Sequence, residues 1–366
     1  MKKISLMLVA FILLSLFLSG CGYEYKEYEL RGTYTRDLEG TTLTVYNWGE
    51  YISDGGDDSI DVNKEFEKLT GIKVTYITFE SNETMYSQVM NAGVSYDIVI
   101  PSEYMVERLI KNDVLAEIDS SKLSNYDLID PKYQNLFYDP DNKYSIPYCV
   151  GMVGVIYNSA LISEPEHSWS ALWNEEYKGM SLNFNNPRDA FMTAQILLGL
   201  DVNSTNTADW EAAADLLIEG KDVLQDYVMD EIYGKLETGE AAIGPYYAGD
   251  YLTMYETNED LRFFYPKEGT NTFVDSMCIL KDTQNYEAAL MYINFMLEPA
   301  IATANAEYIG YASPNTAVVN NPDYYYYQNE ILYPSEEDMP KVYFYHDIDT
   351  KTRIFYETLW VDVRRS

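Results

Sequence analysis

Histidine is almost missing from this chain. Two occur in 366 residues, His167 and His346, and neither has a second metal-ligating side chain at a zinc-like spacing. Cysteine is nearly as scarce, with three. Cys21 ends an N-terminal apolar leader, while Cys149 and Cys278 sit in apolar contexts and are expected as buried thiols, paired or free. No Gly-x-Ser-x-Gly elbow, P-loop or dinucleotide fingerprint is present. These gaps argue against His, Cys or metal chemistry, and no cofactor is expected. They leave room for a carboxylate-pair hydrolase, since two acids leave little sequence trace. Basic residues are also few, 25 Lys and Arg against 59 Asp and Glu, a formal charge of −34. Such a surface argues against nucleic acid and against docking on anionic lipid, and it favours the approach of small cations. Beyond the leader, no run is apolar and long enough to span a bilayer.

The leader itself is Lys2-Lys3, an apolar run from Ile4 to Phe17, then Leu18-Ser19-Gly20-Cys21. Small residues before a Cys after such a run resemble the lipobox of bacterial lipoprotein signal peptides. That resemblance implies cleavage before Cys21, lipidation of its sulfur, and an extracytoplasmic protein anchored to the outer face of the cell membrane (the periplasmic side where an outer membrane exists). Residues 1–20 are therefore expected to be a signal peptide. Residues 21–40, polar and Tyr-rich without period, are expected to be a tether. The rest of the chain is long for one core. With 47% hydrophobic and 15% aromatic residues, the sequence has ample material for two.

Strand and helix patterns alternate along the chain, the mark of an α/β sheet. Strands are expected at Leu43–Tyr46, Lys73–Phe79 and Tyr96–Ile100. Between the first two lies a helix through Phe66 and Leu69, with N-caps offered by Asp57-Asp58-Ser59 and a stop at Gly71. Asn186 followed by Pro187 opens a helix over Ala190–Leu198. Val150–Tyr265 forms its own α/β unit before the chain returns to further α/β material. The expected division is one lobe of 41–150 plus about 276–320 and another of about 151–275 plus about 321–366, with a ligand cleft between them.

One stretch combines unusual chemistry. Val45-Tyr46-Asn47-Trp48-Gly49-Glu50-Tyr51 is a strand end where two large aromatics flank a carboxylate, a partial shell for an organic ammonium. Taken alone, it reads equally as a strand end whose aromatics plug a core. Six further blocks bear on that choice: Phe79-Glu80-Ser81-Asn82-Glu83-Thr84-Met85-Tyr86, Tyr96-Asp97-Ile98-Val99-Ile100-Pro101-Ser102, Tyr144-Ser145-Ile146-Pro147-Tyr148, Glu176-Tyr177-Lys178-Gly179, Phe264-Tyr265-Pro266-Lys267-Glu268-Gly269 and Ile309-Gly310-Tyr311-Ala312-Ser313-Pro314-Asn315. With the first stretch, and in this order, they resemble the spermidine/putrescine-binding proteins of bacterial polyamine ABC transporters, from about Leu43 to about Val318.

The resemblance implies a two-lobed periplasmic-binding-protein fold of type II: two mixed sheets flanked by helices, with a ligand cleft between lobes. It implies no enzyme but a receptor, a monomer, that delivers putrescine or spermidine to membrane permease subunits. Matched block by block, it places Trp48, Glu50, Tyr51, Ser102, Tyr104, Asn186, Asp189, Tyr247, Phe273, Asp275 and Tyr311 at the ligand, with a last contact near Tyr345. Asn186 stands where the family has an acid, and Tyr247 and Phe273 stand where it has Trp. A ligand with fewer charges, putrescine as readily as spermidine, is the expectation. A polyamine is an alkyl rod with ammonium groups at fixed spacing, which suits carboxylates set between aromatic walls. Each residue also has a plainer role: Asp189 as a first-turn helix acid, Asp275 as a turn cap, Ser102 as a turn serine. The alternatives are a receptor of the same fold for another solute, such as a metal or thiamine, and the carboxylate-pair hydrolase.

Overall fold

The structure, a computed structural model, describes residues 29–56, 59–91 and 95–366. The leader, Cys21, Asp57 and Asp58 lie outside the described residues. Among the described residues, ten strands and eleven α-helices succeed one another. The strands are β1 Thr42–Trp48, β2 Lys73–Phe79, β3 Ile98–Val99, β4 Ile146–Asn158, β5 Ser181–Phe184, β6 Leu224–Val228, β7 Ile243–Tyr247, β8 Leu261–Phe264, β9 Thr270–Ile279 and β10 Val342–Tyr343. The helices are α1 Val62–Thr70, α2 Asn82–Met90, α3 Glu103–Lys111, α4 Pro187–Leu197, α5 Thr207–Glu219, α6 Glu231–Glu237, α7 Ala248–Thr257, α8 Tyr286–Met296, α9 Pro299–Ile309, α10 Thr316–Val319 and α11 Thr350–Arg365.

Local chemistry sets most boundaries. Helix α1 starts at Asp61, whose carboxylate accepts from the Lys64 amide at 2.9 Å, and stops at Gly71, which takes φ 74°. The expected cap at Asp57–Ser59 is thus displaced by a nearer acid. Helix α4 starts where its sequence signals put it: Asn186 caps the Arg188 amide at 3.0 Å, and Pro187 takes the first helical position. Helix α7 was not expected; it joins β7 with no loop, Tyr247 being both strand end and cap residue.

The sheet runs β2-β1-β3-β9-β4-β7-β5-β6, with β8 beside β4 and β10 beside β9. The first three strands pair in parallel, as helices between them require. Two long strands join the halves. From Ile146 to Met152, β4 pairs antiparallel with β9, and from Val153 onward it lies between β7 and β8. The two expected mixed sheets are therefore continuous through β4 and β9. Separate clusters of buried side chains fill each half: Tyr46, Met105 and Leu109 in one, and Phe184, Phe191 and Trp210 in the other. The segment from residue 342 onward packs with the second half, because Asn203 Nδ2 donates to the Phe344 carbonyl and the Tyr345 and Trp360 rings enter its core.

One expectation changes. Residues 31–36 are not free tether. Fully buried Glu298 accepts from the Arg31 and Gly32 amides, each at 2.7 Å, and from the Tyr34 hydroxyl at 2.6 Å. A carboxylate denied water needs such donors, and this segment supplies them. Glu298→Ala should therefore lower unfolding free energy by about 2–4 kcal/mol in urea titration, since three donors lose their acceptor. A change below about 1 kcal/mol would mean the docking adds nothing to stability.

Candidate functional site

Four aromatic rings stand in a row where the two sheet halves meet. Tyr51 comes after the turn that ends β1, Tyr311 comes after α9, Phe273 is on β9, and Tyr247 ends β7. Successive ring centroids lie 5.7, 5.9 and 5.7 Å apart with steep interplanar angles, the edge-to-face geometry that π-systems prefer. Two glycines allow the approach. A side chain on Gly249 would sit 1.8 Å from the Tyr311 ring, and one on Gly151 would sit 2.2 Å from Phe273.

A buried carboxylate closes each end. Tyr51 donates its hydroxyl to Asp275 Oδ2 at 2.7 Å, and Tyr247 donates to Asp189 Oδ2 at 2.9 Å. Asp275 and Asp189 are 4% and 5% exposed, so neither can be left to water. Their surroundings differ. Asp189 also accepts from Tyr345 at 2.9 Å and from the Asn186 amide at 2.9 Å, while the Arg188 guanidinium lies 4.4 Å over the Tyr345 ring. Asp275 has its Oδ2 bond to Tyr51, but its Oδ1 is buried with no hydrogen-bond partner among the described residues.

Burial raises the pKa of both acids. For Asp189 the Tyr345 and Tyr247 hydroxyls and Arg188 oppose that rise. Asp275 is pushed to about 6 by burial, and the Tyr51 and Ser102 hydroxyls oppose that rise. A third acid, half-buried Asp250 of α7, accepts from Tyr311 at 2.5 Å and Tyr233 at 2.7 Å and so fixes the Tyr311 ring.

The other expected residues take different places. Ser102 and Tyr104 are tied to each other through Asn82, whose amide reaches both oxygens at 3.1 Å. The Tyr104 ring lies 6.2 Å from Tyr345, which brings it to the Asp189 end. Trp48 packs 4.5 Å from Phe79 in the first core, with its Nε1 buried and unpartnered. Glu50 is exposed at φ 50° on the turn; this left-handed residue leaves its own side chain at the surface and returns Tyr51 to the interior. Cys149 and Cys278 are free and buried. Residue-by-residue reading gave no site role to Asp250, Asn82 or Arg188, though Asn82 lies in one of the blocks that carry the resemblance, because their roles arise from tertiary packing.

Two half-sheets sharing two long strands, with aromatics and acids gathered at their junction, define an extracytoplasmic solute-binding protein of the type II two-lobed class. The comparisons agree. Residues 62–331 match the family of bacterial extracellular solute-binding proteins, and the chain belongs to it. It is 34% identical over 321 residues to the spermidine/putrescine-binding periplasmic protein of Escherichia coli strain K12, covering 87% of this chain and 90% of that one. Among solved structures, the spermidine/putrescine ABC transporter substrate-binding protein PotD of Streptococcus pneumoniae superposes with a TM-score of 0.77 at 35% identity, over 89% of this chain and 99% of that one. The Tp0655 (TpPotD) lipoprotein of Treponema pallidum gives 0.78 at 26% identity, over 89% and 100%. The family is one of transport receptors and not of enzymes.

Asp275 has a sign-definite effect on stability. Its folded pKa of about 6 exceeds the ordinary 3.8, so its contribution is most favourable below pH 3.8 and is lost as pH rises through 6. Asp275→Asn should abolish that loss, leaving the ligand-free variant roughly 3 kcal/mol less penalised at pH 7 than the wild type. Urea titrations of both proteins at pH 4 and pH 7 measure it. An equal pH dependence in both would disprove the assignment.

Proposed function

We propose that this protein captures a polyamine, putrescine or spermidine, outside the cytoplasm and presents it to the permease of an ABC importer. The observation that carries this reading is the orphaned Oδ1 of Asp275 at the end of a row of aromatic rings. A buried acceptor without a donor calls for a cation or a hydrogen-bond donor, and ring faces suit both an ammonium and its methylenes. The names of the relatives point to the same ligands.

In this reading Asp275 takes one ammonium group; Tyr51, Tyr311, Phe273 and Tyr247 line the alkyl chain; and Asp189, with Asn186, meets the other end. Ser102 and Tyr104 support the two ends, and Trp48 and Glu50 border the entrance. The lobes are 41–150 with about 276–320, and about 151–275 with about 321–366. Ligand draws them together about β4 and β9, and the closed form docks on the permease. The chain is held at the membrane by lipidated Cys21 and acts as a monomer. A lipoprotein among the structural relatives supports the anchor.

Calorimetry with putrescine and spermidine tests the ligand. Asp275→Asn should weaken binding tenfold or more, the loss expected when a charged partner goes, while its ligand-free melting temperature does not fall. Unchanged affinity would remove Asp275 from the site. If neither polyamine binds or raises the melting temperature of the wild type, the ligand class is wrong.

A further inference from the structure

Among the described residues, two carboxylates have a buried oxygen without a hydrogen-bond partner: Asp275 Oδ1 and Glu103 Oε1. The second belongs to none of the roles above. Glu103 opens α3 directly after Ser102 and is 0% exposed. Its Oε2 accepts from the Val274 amide at 3.2 Å. Val274 lies between Phe273 and Asp275 on β9, so Glu103 grips the main chain that carries two side chains of the site. The groups facing it come from three elements. They are Asp275 on β9, Tyr345 with its amide in the C-terminal segment, and Tyr138 in the loop before β4. No cation is among them. Arg108, further along α3, is engaged by Asp347 at 2.8 Å.

We propose that Glu103 is a proton-linked positioning residue of the ligand site: as a neutral carboxylic acid it holds the Val274 main chain, and it gives its proton to solvent when a cation docks against Asp275. An acid buried from solvent beside an anionic neighbour, with no cation facing it among the described residues, holds its proton, and burial pushes Glu103 up to about 8. An ammonium arriving beside Asp275 supplies the missing positive charge and favours the ionised form. The Glu103 O–H bond breaks, the proton passes to water or buffer, and the ligand keeps all of its own protons. Capture of a dication is then opposed by acid and helped by neutral or basic surroundings. The inference rests on the ligand reading above.

Its test separates the two. Binding heats of putrescine at pH 7 in phosphate and in Tris, buffers of different ionisation enthalpy, count the protons exchanged. The wild type should release up to about 0.9 proton per ligand, because an acid titrating near 8 is mostly protonated at pH 7. Glu103→Gln, which keeps an acceptor for Val274, should release close to none, and its affinity should be nearly flat between pH 7 and 8, where Asp275 is already ionised and the wild type still gains. A purely structural Glu103 would change affinity equally at every pH and leave the proton count unaltered, which overturns the proposal. A ligand-free measurement stands beside it: stability from Glu103 is present below pH 4.5 and lost through about 8, so the wild type should melt roughly 3–4 °C lower relative to Glu103→Gln at pH 9 than at pH 6. A constant difference also overturns the proposal. Failure of every polyamine to bind, with this melting difference intact, overturns the ligand reading and the linkage to ligand while confirming the buried acid.

Discussion

A carboxylate shut away from water has to be neutralised by something, and the site is built around how far that requirement is met. Asp189 is answered from within by two tyrosines, an asparagine amide and the field of Arg188. Asp275 is answered once, by Tyr51. Its other oxygen has no partner, and the group is correspondingly hard to ionise. Free energy withheld at that oxygen is available to a ligand, because an arriving donor gains a bond without displacing one already made. Local cost at a functional site, offset by cores elsewhere, is a common pattern in folded proteins. Here the offset is visible in two large clusters of buried side chains, one on each side of the site.

The position of that acid is a consequence of topology. Strands β4 and β9 take part in both sheet halves, and Phe273 and Asp275 sit on β9 opposite Gly151 and Cys149 of β4. Side chains there see both halves at once. The rings from β1, β7 and the segment after α9 converge on the same place because each element ends at the junction. Any movement of one half against the other would change the surroundings of Asp275 before it disturbed either core.

Much of this architecture was legible in the sequence, and the misses have physical causes. Strands β1 and β2 and helix α4 carried strong local signals: alternation, a cap residue and a proline at the right offset. The length of β4 is harder to see in the sequence, because Pro147 and the register shift beside it blur its pattern. Helix α7 was hidden by its immediate start after β7. In the site, Tyr51, Asp189, Tyr247, Phe273, Asp275 and Tyr311 lie on one connected run of contacts. Glu50 does not join it, since a turn at positive φ keeps that residue at the surface while its neighbour turns inward. Asp250 and Glu103 left no trace in the sequence, because an acid becomes unusual through burial and partners, and neither shows in residue order.

The two ends of the ring row also bear on which ligand fits. Asn186 spends one donor on Asp189 and its oxygen on the Arg188 amide, so it serves the helix start and the acid together. An acid at that position could keep the cap but could not donate to Asp189 when ionised. It would add charge where the asparagine removes some of its effect. The amide therefore gives the Asp189 end a hydrogen-bond donor in place of a second charge, while Asp275 keeps one oxygen without a partner among the described residues. Discrimination between a diamine and a longer polyamine would then rest on how much charge the Asp189 end can still accept. That quantity is set by one side-chain amide and by the tyrosines already bound to the acid.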